Sequence, residues 1–180
     1  MKVVALVGMP GSGKSEVARV FASSGYVAVR FGDVTDGEVK KRGLELNEQN
    51  ERTVREELRA SHGMAAYAIL NLPRIESALK SSDVVLDGLY SWEEYKYLID
   101  KLGKKLEIIT VWAPPRLRYA RLQQRKVRPL SSEQARARDF AEIENVNKGG
   151  PIAMADYTIN NDSTLESLIG QTKNIIGALK

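Results

Sequence analysis

The segment from Gly8 to Ser15 is the part of the sequence best suited to chemistry, because it can hold a phosphate chain. It has glycine, lysine and hydroxyl residues at every fixed position of the Walker A pattern. Glycines let several backbone N–H groups point inward, and the positive end of a following helix adds to the attraction for phosphate. Lys14 supplies charge for the terminal phosphates, and the hydroxyl of Ser15 suits Mg²⁺. The predicted nucleotide-binding residues here are Gly8, Met9, Pro10, Gly11, Ser12, Gly13, Lys14 and Ser15.

A second candidate for metal chemistry is Asp87, which ends the apolar run Val84-Val85-Leu86. An acid at the end of a buried strand lies near the phosphate loop if that strand is next to the first one. It then holds Mg²⁺ through water, as a Walker B carboxylate does. The alternative is an aspartate that only forms a turn. The predicted metal site is Ser15 with Asp87, for the Mg²⁺ that accompanies ATP.

Short apolar runs alternate with longer periodic segments, a pattern typical of an α/β sheet covered by helices. The predicted strands are Val3 to Val7, Tyr26 to Phe31, Val84 to Leu86, Leu106 to Trp112 and Asp156 to Asn160. The predicted helices are Lys14 to Ser24, a stretch from Asp36 to about Lys80 broken near Gly43 and Gly63 with Pro73 as a kink or new start, Trp92 to Leu102, Pro115 to Lys126, Ser132 to Asn147 closed by Gly149-Gly150-Pro151, and a last helix after Ser163. Capping boxes are expected at Ser91 with Glu94 and at Ser163 with Glu166.

The chain has 180 residues, no cysteine and a net charge of +4. This length suits a single three-layer α/β/α domain over residues 1–180. No apolar stretch approaches the roughly 18 residues of a membrane span, and the short apolar start suits a first strand better than a secretion signal. We therefore expect a cytoplasmic protein with no membrane partner. The mild basicity suits a phosphorylated ligand and also weak contact with nucleic acid.

Basic residues concentrate between Arg116 and Arg128, where there are six and no acid. Four arginines follow at spacings of three, four and three residues, so they share one face of a helix. Such a face can deliver guanidinium groups to a γ-phosphate. The alternatives are a solvated basic face and an RNA-binding face. The four are Arg118, Arg121, Arg125 and Arg128, of which we expect Arg121 and Arg125 to act on the phosphate.

The sequence argues against a GTPase. That class needs an Asn-Lys-x-Asp run to recognise guanine, and the nearest match, Asn147-Lys148-Gly149-Gly150, lacks the aspartate. The run Asp100 to Gly103 has the form Asp-x-x-Gly, but it lies at the end of a predicted helix and not after a strand.

The order of motifs resembles that of adenylate kinases and dephospho-CoA kinases. The matching motifs are the phosphate loop, Phe31-Gly32-Asp33, Leu86-Asp87-Gly88, the arginine-rich helix and the run from Ala155 to Asn161. An archaeal group related to both families is the most similar. The resemblance implies a P-loop NTPase fold with a parallel sheet of order 2-3-1-4-5 and a helical acceptor insertion at about residues 33–80. It also implies a mobile arginine-rich lid at about residues 116–135 and a nucleotide-binding role for Asn161.

Two departures concern the acceptor. Adenylate kinases have acceptor-binding arginines where this chain has Asp36 and Ser91. The resemblance to dephospho-CoA kinase implies that Asp33 is the general base for an acceptor hydroxyl; the alternative is an N-cap. Candidate substitutes for the missing arginines are Arg42, Arg55 and Arg59. The predicted acceptor-binding residues are Gly32, Asp33, Arg59, Asp87 and Gly88.

These features predict transfer of the terminal phosphoryl group of ATP to a nucleotide or nucleotide-like small molecule, AMP-like acceptors included. The predicted catalytic residues are Lys14, Asp33, Arg121 and Arg125. The alternative is a nucleotide-binding regulatory or RNA-associated protein with weak or no kinase activity. The missing acceptor arginines favour that alternative, whereas the presence of Lys14, Ser15 and Asp87 favours the kinase.

Overall fold

The computed structural model, which describes residues 1–126 and 129–179, has five strands that form one parallel sheet. They are β1 (Val3–Val7), β2 (Val27–Arg30), β3 (Val84–Asp87), β4 (Leu106–Trp112) and β5 (Tyr157–Asn160). Their order across the sheet is β2-β3-β1-β4-β5, which confirms the predicted order. The strand positions are as expected, with ends that differ by one residue.

The centre of the sheet positions the phosphate loop. All five residues of β1 are buried, as expected for a parallel strand covered on both faces. β1 lies between β3 and β4, and its register pairs Leu6 with Asp87. Because the carboxyl ends of parallel strands meet at one edge, the loop after β1 and Asp87 are neighbours.

Helices cover the two faces of the sheet. In the described part of the chain they are α1 (Lys14–Ser23), α2 (Asp33–Lys41), α3 (Glu48–His62), α4 (Ala66–Ala78), α5 (Trp92–Leu102), α6 (Pro115–Gln123), α7 (Ser132–Glu144), α8 (Gly149–Ala153) and α9 (Leu165–Ala178). The long polar stretch is divided at Gly43 and Gly63, as predicted, and both glycines have positive φ. It begins at Asp33 and not at Asp36, and Pro73 lies inside α4.

Four predictions about helix ends are wrong. α6 ends at Gln123 and not at Lys126, so Arg125 lies beyond the helix. Gly149-Gly150-Pro151 does not close a helix; these residues begin α8, where proline is tolerated because early helical N–H groups lack partners anyway. α7 ends at Glu144 because the chain turns back there, and the N–H of Lys148 donates to the Glu142 carbonyl. The N-cap of α9 is Thr164 and not Ser163. The capping box of Ser91 and Glu94 is confirmed.

Two buried clusters lie on opposite faces of the sheet. Val3, Ala5 and Val7 of β1 pack with residues of α4 and α5. Val4 and Leu6 pack with residues of α1 and α9 on the other face. The alternation confirms three layers around one sheet. Among the described helices, none is long and apolar enough to cross a membrane.

Candidate active site

The phosphate loop fits closely against β4 and the segment after β5. Gly8, Gly11 and Gly13 all have positive φ, which only glycine adopts without strain. A Cβ at Gly8 would lie 2.3 Å from the Val111 carbonyl oxygen, and one at Gly13 would lie 2.3 Å from Nδ2 of Asn161. The glycines therefore serve both the curvature of the loop and its close fit against β4 and the segment after β5.

Lys14 lies at the first position of α1 with its ammonium turned back over the loop. Nζ donates to the carbonyl oxygens of Gly8 at 2.8 Å and Met9 at 3.2 Å. Burial and the nearby charge of Lys148 lower the pKa of Lys14 to about 7. The positive charge of the Lys14 ammonium is thus poorly balanced by nearby negative charge. The oxyanions of a bound phosphate would supply that negative charge.

Ser15 and Asp87 meet where the sequence predicted. The Ser15 hydroxyl donates to Oδ2 of Asp87 at 3.2 Å. Mg²⁺ prefers oxygen ligands, keeps several waters and needs few protein groups when it also binds phosphates. This pair beside the loop fits that requirement: the hydroxyl would be a direct ligand and the carboxylate would act through water.

The arginines of the row differ in their burial and in their contacts. Arg118 is only 4% exposed and makes a bidentate ion pair with Asp139 of α7, at 2.8 and 2.6 Å. It also donates to the carbonyl oxygens of Ala113 and Pro10 at 3.1 Å. With these donors used inside the protein, Arg118 fixes the loop to α6 and α7 and is no part of a solvated basic face.

Arg121 and Asn161 form a connected pair at the same loop. Arg121 donates to the carbonyl oxygen of Asn161 at 2.9 Å, and the Asn161 amide donates to the Ser12 carbonyl at 2.7 Å. Within the described residues, the buried Nη1 of Arg121 has no hydrogen-bond partner. Nη1 of Arg121 therefore keeps unused N–H donors beside the loop.

Arg125 lies beyond them at the exposed end of the row. Partial burial and the charge of Arg138 lower its pKa, so the two guanidinium groups lie near each other. In the described part of the chain, Arg125 has no carboxylate partner at salt-bridge distance. Arg128, the last member of the row, lies outside the described residues.

Two arginines that no sequence motif predicted lie beside Asp33, the candidate general base. Asp33 is the first residue of α2, so it is not the N-cap, which is Gly32. Arg30 contacts Oδ1 of Asp33 at 3.2 Å, and Arg74 of α4 contacts Oδ2 at 3.1 Å. Arg30 also binds Asp36 at 2.7 Å. Two cations thus flank Asp33, from sequence positions other than those of the adenylate kinase arginines.

Of the three substitutes named from the sequence, Arg59 alone makes no salt bridge within the described part of the chain. Arg42 binds Glu38 and Glu57, and Arg55 binds Glu48. Arg59 lies over the Tyr67 ring, 5.6 Å from its centre. Its buried Nε has no hydrogen-bond partner among the described residues. Arg59 is therefore the best placed of the three to bind an acceptor.

The glycine after β3 is required by close contact. Gly88 has a φ of 120°, and a Cβ there would lie 2.6 Å from the Tyr90 hydroxyl. Burial, with the charges of Asp87 and Glu94, raises the pKa of Tyr90. The Gly32 site is less tight, since its Cβ would lie 3.2 Å from the Arg30 guanidinium.

Glu94 is a buried carboxylate near this side of the site. It is 0% exposed, and one of its oxygens accepts hydrogen bonds from the N–H groups of Tyr90 and Ser91. Its other oxygen has no partner among the described residues. Burial raises its pKa from 4.5 to about 7, against the opposing effect of those N–H groups and of the charge of Arg59.

This raised pKa predicts a pH dependence of stability. The folded protein binds the Glu94 proton more tightly than the unfolded chain, so that stabilisation is complete below about pH 4.5 and lost as pH rises through about 7. The free energy of unfolding of the wild type, relative to Glu94→Gln, should fall by roughly 2 to 3 kcal/mol between about pH 5 and 8. Denaturant unfolding checks this, with the exposed Glu144→Gln as control. A difference independent of pH would contradict it.

Comparisons with known proteins agree with this architecture. Residues 4–141 match the family described as AAA domain. A UPF0200 protein of Methanosarcina barkeri is 38% identical over 168 residues, which span 92% of this chain and 89% of that protein. The structure of TT1252 from Thermus thermophilus has a TM-score of 0.69 at 22% identity and covers 99% of this chain and 98% of that one. A shikimate kinase from Bacteroides thetaiotaomicron has a TM-score of 0.64 at 13% identity, with coverage of 99% and 98%. The two structures share the fold.

Proposed function

This chain belongs to the UPF0200 family and to the AAA domain family, and we propose that it is a cytoplasmic ATP-dependent kinase. Its acceptor is a nucleotide or a nucleotide-like small molecule. Residues 1–180 act as a single domain, in which about residues 33–80 bind the acceptor and about residues 116–135 form the lid. The P-loop fold, shared with a shikimate kinase, supports phosphoryl transfer as the reaction class.

One arrangement supports this function above all. Ser15 and Asp87 lie in contact beside Lys14, and Asp33 lies at the end of the neighbouring strand, held by two arginines. In the proposed reaction, a metal-bound triphosphate and a general base would share this edge of the sheet. A protein that only binds nucleotide needs the residues that hold the metal-bound triphosphate, but it does not need a general base.

On the donor side, the loop from Gly8 to Ser15 holds the phosphates through its N–H groups and Lys14. Mg²⁺, when bound with ATP, neutralises charge on the phosphate oxygens. Arg121 and Arg125 contact the terminal phosphate as the lid closes, where guanidinium groups stabilise the transition state. Asn161 fixes Arg121 and the loop relative to each other.

On the acceptor side, Asp33 accepts the proton of the acceptor hydroxyl. The hydroxyl oxygen forms a bond to the γ-phosphorus while the bond to the leaving ADP oxygen breaks. For this, Asp33 must exchange its contacts with Arg30 and Arg74 for the hydroxyl. Arg74 is then available for anionic groups of the acceptor, together with Arg59, Gly32 and Gly88, while Arg30 keeps its contact with Asp36.

The RNA-associated alternative depends on a continuous basic face. Arg118 is used inside the protein, and Arg121 binds Asn161 at the loop. The row is thereby directed toward the phosphate loop, which favours the kinase.

The direct test is transfer of label from γ-labelled ATP in the presence of Mg²⁺. Nucleoside monophosphates and nucleotides that carry a free hydroxyl should each be offered, with a sample without acceptor as control. We expect a labelled product with at least one acceptor class. Release of inorganic phosphate alone with every acceptor would contradict the proposed function.

A second prediction concerns the metal. If Asp87 holds Mg²⁺ through water, Asp87→Asn should weaken ATP binding about tenfold with Mg²⁺ and much less in EDTA. Calorimetric titration under both conditions measures this, with the exposed Asp162→Asn as control. Loss of stability without a metal-dependent difference would mean that Asp87 only forms a turn.

A further inference from the structure

Three charged side chains meet at the end of α7 and in the turn after it. Lys148 is 1% exposed, and its ammonium donates a hydrogen bond to the carboxylate of Glu142. The other oxygen of this carboxylate accepts a hydrogen bond of 3.1 Å from Nε of Arg138. One carboxylate therefore holds two cations. We call Arg138, Glu142 and Lys148 the α7 charge cluster.

This cluster faces the phosphate loop. Asp139 lies three residues before Glu142, so the two side chains share one face of α7. Asp139 binds Arg118, which in turn donates to the Pro10 carbonyl of the loop at 3.1 Å. The face of α7 that presents Glu142 is thereby tied to the loop.

The cluster also adjoins the segment after β3. The N–H of Trp92 donates to the Val146 carbonyl at 3.3 Å, which ties the turn to the start of α5. The ammonium of Lys148 lies 5.2 Å from the centre of the Tyr90 ring, three residues after Asp87. Lys148 is therefore placed between the donor side and the acceptor side.

The charges of the cluster act on the catalytic lysine. After burial, Lys148 is the strongest influence lowering the pKa of Lys14, and Glu142 opposes it. Burial alone would raise the pKa of Glu142, but the charges of Lys148 and Arg138 outweigh it and the pKa is lowered. Glu142 is thus an ionised carboxylate among three cations, beside the loop where a nucleotide would bring further oxyanions.

A neighbouring ion pair shows what is different about Lys148. The buried Arg118 uses four hydrogen bonds, two to Asp139 and two to backbone carbonyls. Lys148 has three N–H groups, and among the described residues its only hydrogen-bond acceptor is Glu142. A buried ammonium with unused donors is ready to take a second anion.

We propose that Glu142 is a stand-in for the terminal phosphate of ATP. In the empty protein it holds Lys148 and Arg138 in place, and the phosphate takes over their N–H donors when ATP binds. Lys148 then becomes a further cation on the transferring phosphoryl group, next to Lys14. This inference rests on the proposed function, since it needs a nucleoside triphosphate at the loop.

Binding alone tests it. We would titrate the protein calorimetrically with adenylyl imidodiphosphate, a non-hydrolysable ATP analogue, and with ADP, both with Mg²⁺. Lys148→Met should weaken binding of the triphosphate analogue about tenfold or more and change ADP little, because ADP has no terminal γ-phosphate. Glu142→Gln should tighten binding of the triphosphate analogue about fivefold, because a competing anion is removed. Glu144 is exposed on the same helix, so Glu144→Gln removes the same charge. It should neither weaken nor tighten binding of the triphosphate analogue.

The direction in which Glu142→Gln changes nucleotide affinity distinguishes the proposal from a purely structural ion pair. If this substitution weakens both nucleotides equally, the cluster is only an ion pair that supports the fold, and the inference is overturned. Because Lys148→Met removes one of the two cations that hold Glu142, the double variant with Glu142→Gln guards against a loss of folding. It should bind the triphosphate analogue without the wild-type preference over ADP. Binding of neither nucleotide by the wild type would overturn both this inference and the proposed function. Binding without transfer to any acceptor would overturn the proposed function alone.

Discussion

Replacing Lys14 with alanine should lower phosphoryl-transfer turnover by about three orders of magnitude or more and leave the fold intact. Within the described residues, the hydrogen-bond acceptors of the Lys14 ammonium are the carbonyl oxygens of Gly8 and Met9, and Lys14 belongs to neither buried cluster of the core. Burial lowers its pKa to about 7, so the folded protein gains nothing from holding this charge in the empty site. On the bound nucleotide, the same charge lies where negative charge must be stabilised during transfer.

The measurement is the initial rate at saturating ATP, with a thermal unfolding curve for each variant. Lys173→Ala, an exposed lysine of α9, is the matched control and should behave like the wild type. A folded Lys14→Ala variant with unchanged turnover would disprove the role of the loop in transfer.

The donor site could be predicted because its determinants are local. The phosphate loop is eight consecutive residues, and the strand before it and the helix after it are set by adjacent sequence. Asp87 needed one further assumption, that its strand pairs with β1, and the register of Leu6 with Asp87 confirms that assumption.

The acceptor side could not be predicted in the same way, because its charges come from distant segments. Arg74 reaches Asp33 from 41 residues away, across α4. Lys148 drew attention only as part of a failed guanine-recognition motif, yet its ammonium is buried beside Glu142. Sequence spacing does not predict such contacts, because they depend on how the helices pack against each other.

The arginine row shows a further limit of periodicity. Spacing predicts Arg118, Arg121 and Arg125 on one face of a helix, but α6 ends at Gln123 and Arg125 lies beyond it. Spacing also does not predict how deeply each residue is buried. Arg118 forms a buried ion pair, whereas the Arg125 guanidinium is exposed. Depth is set by α7, whose Asp139 is far away in sequence.

Arg125 provides the prediction that distinguishes a kinase from a nucleic-acid binder. On the kinase hypothesis its guanidinium meets the γ-phosphate mainly in the closed state. Arg125→Ala should then lower kcat by roughly a hundredfold and change nucleotide affinity less, because the contact is strongest in the transition state. Arg125→Lys should not restore kcat, since an ammonium cannot offer a bidentate contact.

If RNA binding were the function, the same substitutions would have a different pattern. Arg125→Ala would weaken polynucleotide affinity modestly and reduce its salt slope by about one, and lysine would serve nearly as well as arginine. Arg136→Ala is the matched control, because Arg136 is an exposed arginine of α7 that stacks on Phe140. Steady-state kinetics and filter binding over a salt series measure the two patterns. Because Arg125 lies beside Arg138 without a carboxylate partner among the described residues, its charge is open to a phosphate, and full activity in Arg125→Lys would remove it from the transferring group.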